Sequence, residues 1–535
     1  MKFSIQVDTK PKNTLQLHPP RLLGLLLIAL LLATVPALAA TVNGFVTKVD
    51  SATAFDMGRL HVLLDSQTQC SMATPSTKQW VPGSFFGKLS YHRPKLSGKF
   101  VPCSTLNFVL GERIHIVGTQ YSGRSFLARN LVAYAEVLEK PGKKLQNAAI
   151  IEERPELQNK AGGWKGILWV DGYPITITPA TKMLAAPANT SLQYMRSNNI
   201  SYNYITHSKI HPQDTPAFSS DLLRENNCVT YHAVYGQDGS LTAENLRFWP
   251  NHVDAKEKRY WNIFKERIVN PDYKKHIPGS IQLKGGLLRR GPTLTILPDR
   301  TIQDWVSNLG MAIVPQYQID LQDTDATKIH FHFYVVKSFG SALNGYLKII
   351  DGAELRSYND VLVALPNGVI LIPDNALGKL GNKAQLAALL EYAISSVLQK
   401  QAYVDYPLLV DVTYDPDPES EYIVYSHISG FFQSGQQLRI GIRQMYLAGY
   451  DIREAPFAWA VAQGKPVNNP IINSKHPDKD IPWYAAYAFN YISHYYKDVD
   501  YSKLKRGEKE YQQFLQELYK ADPSLPHPKV AAATK

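Results

Sequence analysis

Cysteine is scarce in this chain: its 535 residues include three, Cys70, Cys103 and Cys228. Their wide spacing matches no cysteine-based metal motif and excludes a small scaffold held together by many disulfides. Cys70 and Cys103 fall in one predicted domain, so we expect these two to pair in an oxidising compartment. Cys228 is then left over, and we expect it to be buried as a small apolar residue.

No region of the chain concentrates charge of one sign. The formal net charge is +11, and about +8 remains once residues 1–39 are set aside. The basic residues occur as short pairs such as Lys143-Lys144 and Arg289-Arg290. Nucleic-acid binding requires a concentrated basic patch, so we expect no nucleic-acid partner. Peripheral contact with an anionic envelope surface stays open.

Long apolar runs are absent beyond residue 40. The one long run, Leu22–Val35, follows basic Lys12 and Arg21 and precedes the small-x-small site Ala37-Leu38-Ala39. This order predicts a secretory signal peptide over residues 1–39, and hence an exported chain, periplasmic or extracellular. A retained membrane anchor is the alternative, because the apolar stretch approaches the length that spans a bilayer.

The first half of the chain has the pattern of two similar β units. The length exceeds one ordinary domain, so we expect two to four. Residues 41–140 predict short strands broken by Gly, Ser and Asp, and residues 148–250 repeat that plan. The best internal match pairs Gly123–Leu131 with Asp238–Leu246. We infer two tandem β-barrel domains, which resemble small OB-like modules.

The second half has a different pattern. Residues 251–292 mix charged residues with aromatic and aliphatic ones, which predicts a linker or an amphipathic helix. Residues 293–522 alternate strand and helix patterns, and the Pro-rich segment 523–535 is predicted to be a disordered tail. The expected fold class is α+β: two N-terminal small β-barrel domains followed by a mainly helical domain with a small sheet.

Apolar residues at helical spacing locate the main helices of that second half. We predict helices over Asp299–Gly310, Ala384–Gln401 and Gln436–Ala448, the last ended by Gly449. A hairpin-like turn is predicted at Pro366-Asn367-Gly368. Four tyrosines recur at helical spacing and predict a packing stripe: Tyr484, Tyr487, Tyr491 and Tyr495.

Five motifs in this half occur in the order of a gluzincin-type peptidase domain. They are Phe333–Ser338, Ala364–Ile370, Gln385–Leu390, Leu447–Asp451 and Ser474–Pro477. On these motifs the C-terminal half resembles zinc metallopeptidases of the HtpX, BepA and CaaX-prenyl-protease type. The resemblance implies an active-site helix that starts near Gln385. It also implies a strand along the edge of a substrate cleft, made by Leu365, Pro366, Asn367, Gly368, Val369 and Ile370.

The catalytic residues of that family are missing from this sequence. The family's helix continues as A-H-E-x-G-H, in which two His bind zinc and the Glu activates a water. Tyr392 stands in place of the first His, Ala393 in place of the Glu, and Ser396 in place of the second His. Gln436 stands in place of the third ligand, a Glu. The resemblance therefore implies a degenerate site with no catalytic residue, no metal and no cofactor.

Residues that could replace the missing zinc ligands are scattered along the sequence. His330 and His332 alternate along a predicted strand and share a face, but no third ligand is evident. An acidic run lacks the spacing of a calcium loop, so we interpret it as a solvated loop: Asp415, Asp417, Glu419 and Glu421. We expect structural roles for the isolated His427 and His476, and no catalytic role for Glu391.

These observations favour a pseudopeptidase that acts as an envelope binding, scaffold or chaperone-like protein. An edge strand at Leu365–Ile370 would hold an extended protein or peptide partner by β-augmentation without cutting it. Two alternatives stay open: an active metal-dependent endopeptidase with a non-standard site, and a structural assembly protein. The sequence leaves the oligomeric state undetermined.

Overall fold

A computed structural model describes most of the chain that follows the predicted signal peptide. The residues described are 39–46, 48–57, 60–73, 99–106, 108, 112–122, 124–133, 138–160, 163–192, 195–196, 216–253, 255, 257–258, 267–282, 293–338, 361–401, 435–462, 471–472 and 483–526. Residues 1–38 of the predicted signal peptide and residues 527–535 of the predicted tail lie outside these residues.

Short alternating segments of the first β unit form one sheet. Its strands are β1 (Ala40–Phe45), β2 (Lys48–Ser51), β3 (Ala54–Met57), β4 (Leu60–Leu63), β5 (Gln69–Met72), β6 (Lys99–Val101), β7 (Arg113–Ser122) and β8 (Ser125–Ala133). The strand order is β2-β3-β4-β8-β7-β1, with β5 beside β8 and β6 beside β5. Alternation places Phe55 and Val62 in a core that belongs to this sheet alone.

The predicted cysteine pairing is confirmed. Cys70 on β5 and Cys103, just after β6, form a disulfide that closes a loop of 33 residues. Cys228 is buried and free, also as predicted. Burial raises the pKa of its thiol to about 12, so this cysteine is an unreactive packing residue.

The second β unit forms a seven-stranded sheet. Its strands are β9 (Lys144–Ile150), β10 (Glu156–Lys160), β11 (Gly163–Val170), β12 (Tyr173–Ile177), β13 (Lys182–Ala185), β14 (Cys228–Tyr235) and β15 (Leu241–Trp249). The order is β10-β11-β12-β15-β14-β9, with β13 beside β15.

The two sheets share one connectivity, as the internal repeat predicts. The parallel pairs β4–β8 and β5–β8 of the first sheet recur as β12–β15 and β13–β15 in the second. The antiparallel pairs β1–β7 and β7–β8 recur as β9–β14 and β14–β15. Both sheets are open in the part of the chain that is described, so the predicted barrel closure is not found there.

The second half combines helices with two small sheets. Its strands are β16 (Arg267–Val269), β17 (Ser280–Gln282), β18 (Thr293–Thr295), β19 (His332–Val336), β20 (Val363–Ala364), β21 (Val369–Pro373) and β22 (Ile471–Ile472). Its helices are α1 (Arg300–Ile313), α2 (Gln316–Asp320), α3 (Asp374–Leu377), α4 (Lys383–Leu398), α5 (435–447), α6 (Ala455–Ala462), α7 (Trp483–Tyr495) and α8 (Glu508–Ala521). The class is therefore α+β.

The predicted helices of this half are found, with small shifts at their ends. α1 begins after Asp299, whose side chain accepts a hydrogen bond from the Ile302 amide at 3.0 Å. α5 ends before Gly449, which takes the left-handed conformation (φ +77°) expected at a helix end. The predicted linker over 251–292 also contains strands β16 and β17, which pair with β18 in a three-stranded sheet.

The second sheet and the C-terminal half share one hydrophobic core. Buried side chains of β11, β14 and β15 belong to the same cluster as those of α1, α4 and α8. The first sheet is joined to this body by β22, which pairs with β1 at Val42 and Asn43. Among the helices described, none has the length and apolarity needed to cross a membrane.

Candidate functional site

Helix α4 carries three of the four positions at which the resemblance implies catalytic residues. It begins after Asn382, whose side chain accepts a hydrogen bond from the Gln385 amide at 2.9 Å. Of its 16 residues, 14 are buried. The helix therefore runs through the core, and its burial extends beyond the single apolar face that the sequence predicts.

Helix α5, which carries Gln436, crosses α4 at close range. Gly441 allows this approach, because a Cβ at this position would lie 3.2 Å from the Tyr392 nitrogen and 3.3 Å from the Glu391 carbonyl carbon. A larger residue would push the two helices apart. The two helices that should hold the family's zinc ligands are therefore packed backbone to backbone.

The four degenerate positions take part in packing and amide contacts. The Tyr392 ring packs edge-on against Trp459, with ring centroids 4.8 Å apart. Ala393 is 1% exposed, and Ser396 is half-buried. Gln436 is buried, and its side-chain oxygen accepts a hydrogen bond from Gln401. None of these groups is a carboxylate or an imidazole, so none supplies a good zinc ligand.

The C-terminal end of α4 is fixed to the second sheet by a buried polar network. The Gln399 side chain exchanges two hydrogen bonds of 3.0 Å with the Ile150 backbone. Its amide also donates to Glu152 at 2.6 Å. Arg196 donates to the Gln399 carbonyl oxygen at 2.5 Å and to its side-chain oxygen at 3.0 Å. Burial raises the pKa of Glu152 well above its usual range.

The turn between β11 and β12 is fixed to α5 by a buried ion pair. Asp171 is 1% exposed and forms an ion pair with Arg439, which also donates to the Asp171 backbone oxygen at 2.8 Å. Asn147 and Tyr231 donate to the second carboxylate oxygen of Asp171. The Arg439 guanidinium lies 4.2 Å from the centre of the Tyr173 ring. Every polar atom of the Asp171 carboxylate therefore has a donor.

The tip of this turn fits tightly against α5 and α7. Gly172 has φ +72°, and a Cβ there would lie 2.5 Å from the Cβ of Arg439. Tyr491 donates a hydrogen bond to the Gly172 carbonyl oxygen, and Tyr495 packs on Tyr173 at 5.7 Å between centroids. The predicted tyrosine packing role is confirmed for Tyr487, Tyr491 and Tyr495, which serve this contact.

The predicted cleft-edge segment forms the expected hairpin, but it is not an exposed edge. The Leu365 amide donates a hydrogen bond to the Val369 carbonyl oxygen at 2.8 Å, and the Gly368 amide donates to the Leu365 carbonyl oxygen at 3.0 Å. Val369 and Ile370 lie on β21, which is the central strand between β19 and β20. Val369 and Ile370 are at most 1% exposed. The prediction of an exposed edge at these two residues is therefore wrong, because β19 and β20 already occupy both sides.

The turn of that hairpin faces the second sheet. Pro366 lines a cavity of about 10 Å³ together with Asn226 and Asn251, which flank β14 and β15, and with Lys400. A cavity of this size has room for about one water molecule. Beside it, Asn226 donates to Thr327 at 2.6 Å. The second β unit thus packs against the segment that the sequence assigned to a substrate cleft.

Glu391, for which the sequence predicts no catalytic role, is a buried carboxyl group. It is fully buried, and both of its carboxyl oxygens lack a hydrogen-bond partner among the described residues. Burial, followed by the nearby Glu152, raises its pKa well above the usual range. Its neighbour one turn on, Ser395, also has a buried hydroxyl without a partner in that part of the chain. Burial without a hydrogen-bond partner in that part of the chain therefore favours the neutral form of Glu391.

The predicted replacement ligands are not brought together where the structure describes them. His330 and His332 are both exposed and flank buried Phe331, and only His332 lies on strand β19. His427, His476 and the acidic run over 415–421 lie outside the described residues.

Within the described ranges, one group of three side chains could hold an ion: Asp50, Asp56 and His61. These residues lie on β2, β3 and β4 of the first sheet. The Nδ1 atom of His61 is 2.7 Å from Asp56 and 3.7 Å from Asp50. A hydrogen bond between paired strand residues accounts for this approach.

The comparisons leave the family open. The chain matches no protein-family model and no curated protein. The resemblance to gluzincins therefore rests on the motifs of the sequence alone.

Proposed function

We propose that this chain is a catalytically inactive, metallopeptidase-like protein that acts outside the cytoplasm as a binding or scaffold factor. The observation that carries the proposal is that the side chains at the four degenerate positions serve packing and hydrogen bonding. Tyr392 packs against Trp459, Ala393 is buried, Ser396 is half-buried, and Gln436 accepts a hydrogen bond from Gln401. These side chains contribute packing and hydrogen bonds where a zinc peptidase needs ligands and a general base.

The proposal includes the two N-terminal sheets as copies of one small β-barrel module. Their shared connectivity supports this, and such modules present binding surfaces in many proteins. The second copy would be a fixed part of the C-terminal body, since the two share one core. The first copy has a core of its own and would be the module that meets a partner.

A structural assembly role is the second candidate, and one observation favours it. The hairpin at Leu365–Ile370 is buried, and Pro366 faces the second sheet across a cavity of about 10 Å³. A peptide that docked there by β-augmentation would first have to displace β19 or β20, which already pair with β21. A protein or peptide partner would then bind the assembled surface of the chain, and the inner hairpin would serve its architecture.

The test of inactivity is a cleavage assay on the full-length mature chain. The protein is incubated with casein in excess zinc, with and without a chelator. We expect no chelator-sensitive cleavage of casein. The side chains at the four positions supply neither the zinc ligands of the family nor its general base.

Glu391→Gln is the matched control, since Glu391 is the one acidic residue of α4. Chelator-sensitive cleavage by the wild-type chain would contradict the proposal. Its loss in Glu391→Gln would then place the activity on this helix, and its persistence would place the activity elsewhere.

A further inference from the structure

Two carboxylates and an imidazole, all common metal ligands, meet on the solvent-facing side of the first sheet. Asp56 on β3 and His61 on β4 are directly paired across the two strands. Their neighbours Phe55 and Val62 are fully buried, so alternation turns Asp56 and His61 away from the core. Asp50 on β2 completes the group, in which one ligand atom of each residue lies within 4.8 Å of the other two.

A β-bulge brings Asp50 to this group. The pairing of β2 with β3 shifts register between Val49 and Ser51, so Asp50 is the extra residue of the bulge. A bulge redirects the local side chains, and bulges are frequent beside functional sites. The Asp50 carboxylate lies 3.7 Å from the Nδ1 atom of His61, and the Asp56 carboxylate lies 2.7 Å from the same atom. The three ligand atoms therefore converge on one point beside the imidazole.

The second β unit shows that the fold itself does not require these ligands. The corresponding hairpin, β11–β12, also has two residues between its strands, and Trp169 and Pro174 occupy the positions of Asp56 and His61. The Arg443 guanidinium stacks 3.7 Å from the centre of the Trp169 ring. In the second unit this position thus contacts the C-terminal half. In the first unit the His61 and Asp56 side chains are 38% and 26% exposed and accessible from solvent.

We propose that Asp50, Asp56 and His61 bind a divalent transition-metal ion such as zinc. Zinc bonds to nitrogen and carboxylate oxygen are about 2.0–2.2 Å long, so the ligand atoms of a tetrahedral site lie about 3.3 Å apart. The distances of 2.7 and 3.7 Å from the His61 nitrogen lie on either side of this value, so small side-chain rotations admit the ion. The ion takes the place of the hydrogen bond between His61 and Asp56.

The donor set also indicates the class of ion. An imidazole nitrogen suits zinc, copper and nickel, whereas magnesium and calcium prefer oxygen ligands alone. Three protein ligands leave one tetrahedral position, which water fills in the isolated chain. The ion cross-links β2, β3 and β4, which are each four residues long. The site lies in the first sheet and is independent of the degenerate motif in the C-terminal half.

Isothermal titration calorimetry of the purified full-length chain, free of any histidine tag and stripped with a chelator, tests the site. With zinc chloride we expect one zinc per chain, and a large excess of magnesium should not displace it. His61→Ala and Asp56→Asn should each lose this binding, because only two ligands remain. His330→Ala, which removes an exposed histidine outside the group, should bind zinc as the wild-type chain does.

Hydrogen exchange distinguishes a lost ligand from a misfolded variant. At free zinc about 100 times the dissociation constant, exchange of the amides of β2, β3 and β4 should slow by up to about 100-fold in the wild-type chain. In Asp56→Asn, the protection measured without zinc should persist, and zinc should add nothing to it.

Three results would overturn the site. They are no zinc binding by the wild-type chain, unchanged binding in both His61→Ala and Asp56→Asn, and loss of binding in His330→Ala. The last result would place the ion in the C-terminal half. Peptidase inactivity is a separate question, which the casein assay answers whether or not the first sheet holds zinc.

Discussion

Replacement of Arg439 by Met should loosen the contact between the second sheet and helix α5. The substitution leaves Asp171 as a carboxylate that is 1% exposed and has lost its cation. Removal of one partner from a buried ion pair typically costs about 3–5 kcal/mol. The stacking of Arg439 on Tyr173, at 4.2 Å, adds to this cost. We therefore expect the free energy of unfolding of this body to fall by about 3–5 kcal/mol.

Segment-resolved hydrogen exchange in increasing urea measures this change, because the first sheet has its own core and serves as an internal reference. Asp171→Asn is the partner variant, since Asn tolerates the φ of +58° at this turn. The double variant should cost less than the sum of the two single variants by about 1–3 kcal/mol. A loss below about 1 kcal/mol in Arg439→Met, or an equal loss in the first sheet, would refute the reasoning.

Three other perturbations test separate parts of the fold. Glu391→Gln should lessen the loss of stability with rising pH. Above about pH 4.3 the unfolded Glu ionises and the buried one does not, so this residue lowers the free energy of unfolding of the wild-type chain by up to about 1.4 kcal/mol per pH unit. Thermal melts from pH 4 to pH 8 measure this, and the same pH dependence of the melting temperature in both proteins would show that the argument is wrong. Replacing Cys70 and Cys103 by Ala should destabilise the first sheet by about 4 kcal/mol through the 33-residue loop, and an unchanged urea midpoint for this sheet would contradict it. Gly172→Ala should lower the melting temperature more than Gly142→Ala does. Both glycines have positive φ, but a Cβ at Gly172 would meet Arg439, whereas nothing lies within 4 Å of a Cβ at Gly142. Equal melting temperatures for the two variants would exclude the steric argument.

Local patterns were sufficient to predict most secondary structure. The α4 and α5 helices were predicted from apolar spacing and from Gly449, and their ends agree within a few residues. The turn at Pro366–Gly368 was predicted from its turn residues. These features depend on nearby residues, whose preferences survive in any tertiary context.

The contacts between the two halves could not be predicted in this way. Asp171 and Arg439 are 268 residues apart and look like ordinary charged residues in the sequence. Asp171-Gly172 signals a turn, but nothing local indicates that the turn is buried against a helix. The same limitation led to the wrong prediction for Val369 and Ile370, because whether a strand is an edge depends on its neighbours in space.

The most direct test of the central claim is the zinc content of the purified chain. Wild-type protein and His61→Ala are equilibrated with zinc, dialysed and measured by elemental analysis at known protein concentration. The His61→Ala variant removes the Asp50–Asp56–His61 group, the one possible ion site among the residues described. The account predicts no stoichiometric zinc in this variant. One zinc per chain in His61→Ala would contradict it and would mean that the chain holds a metal through other residues.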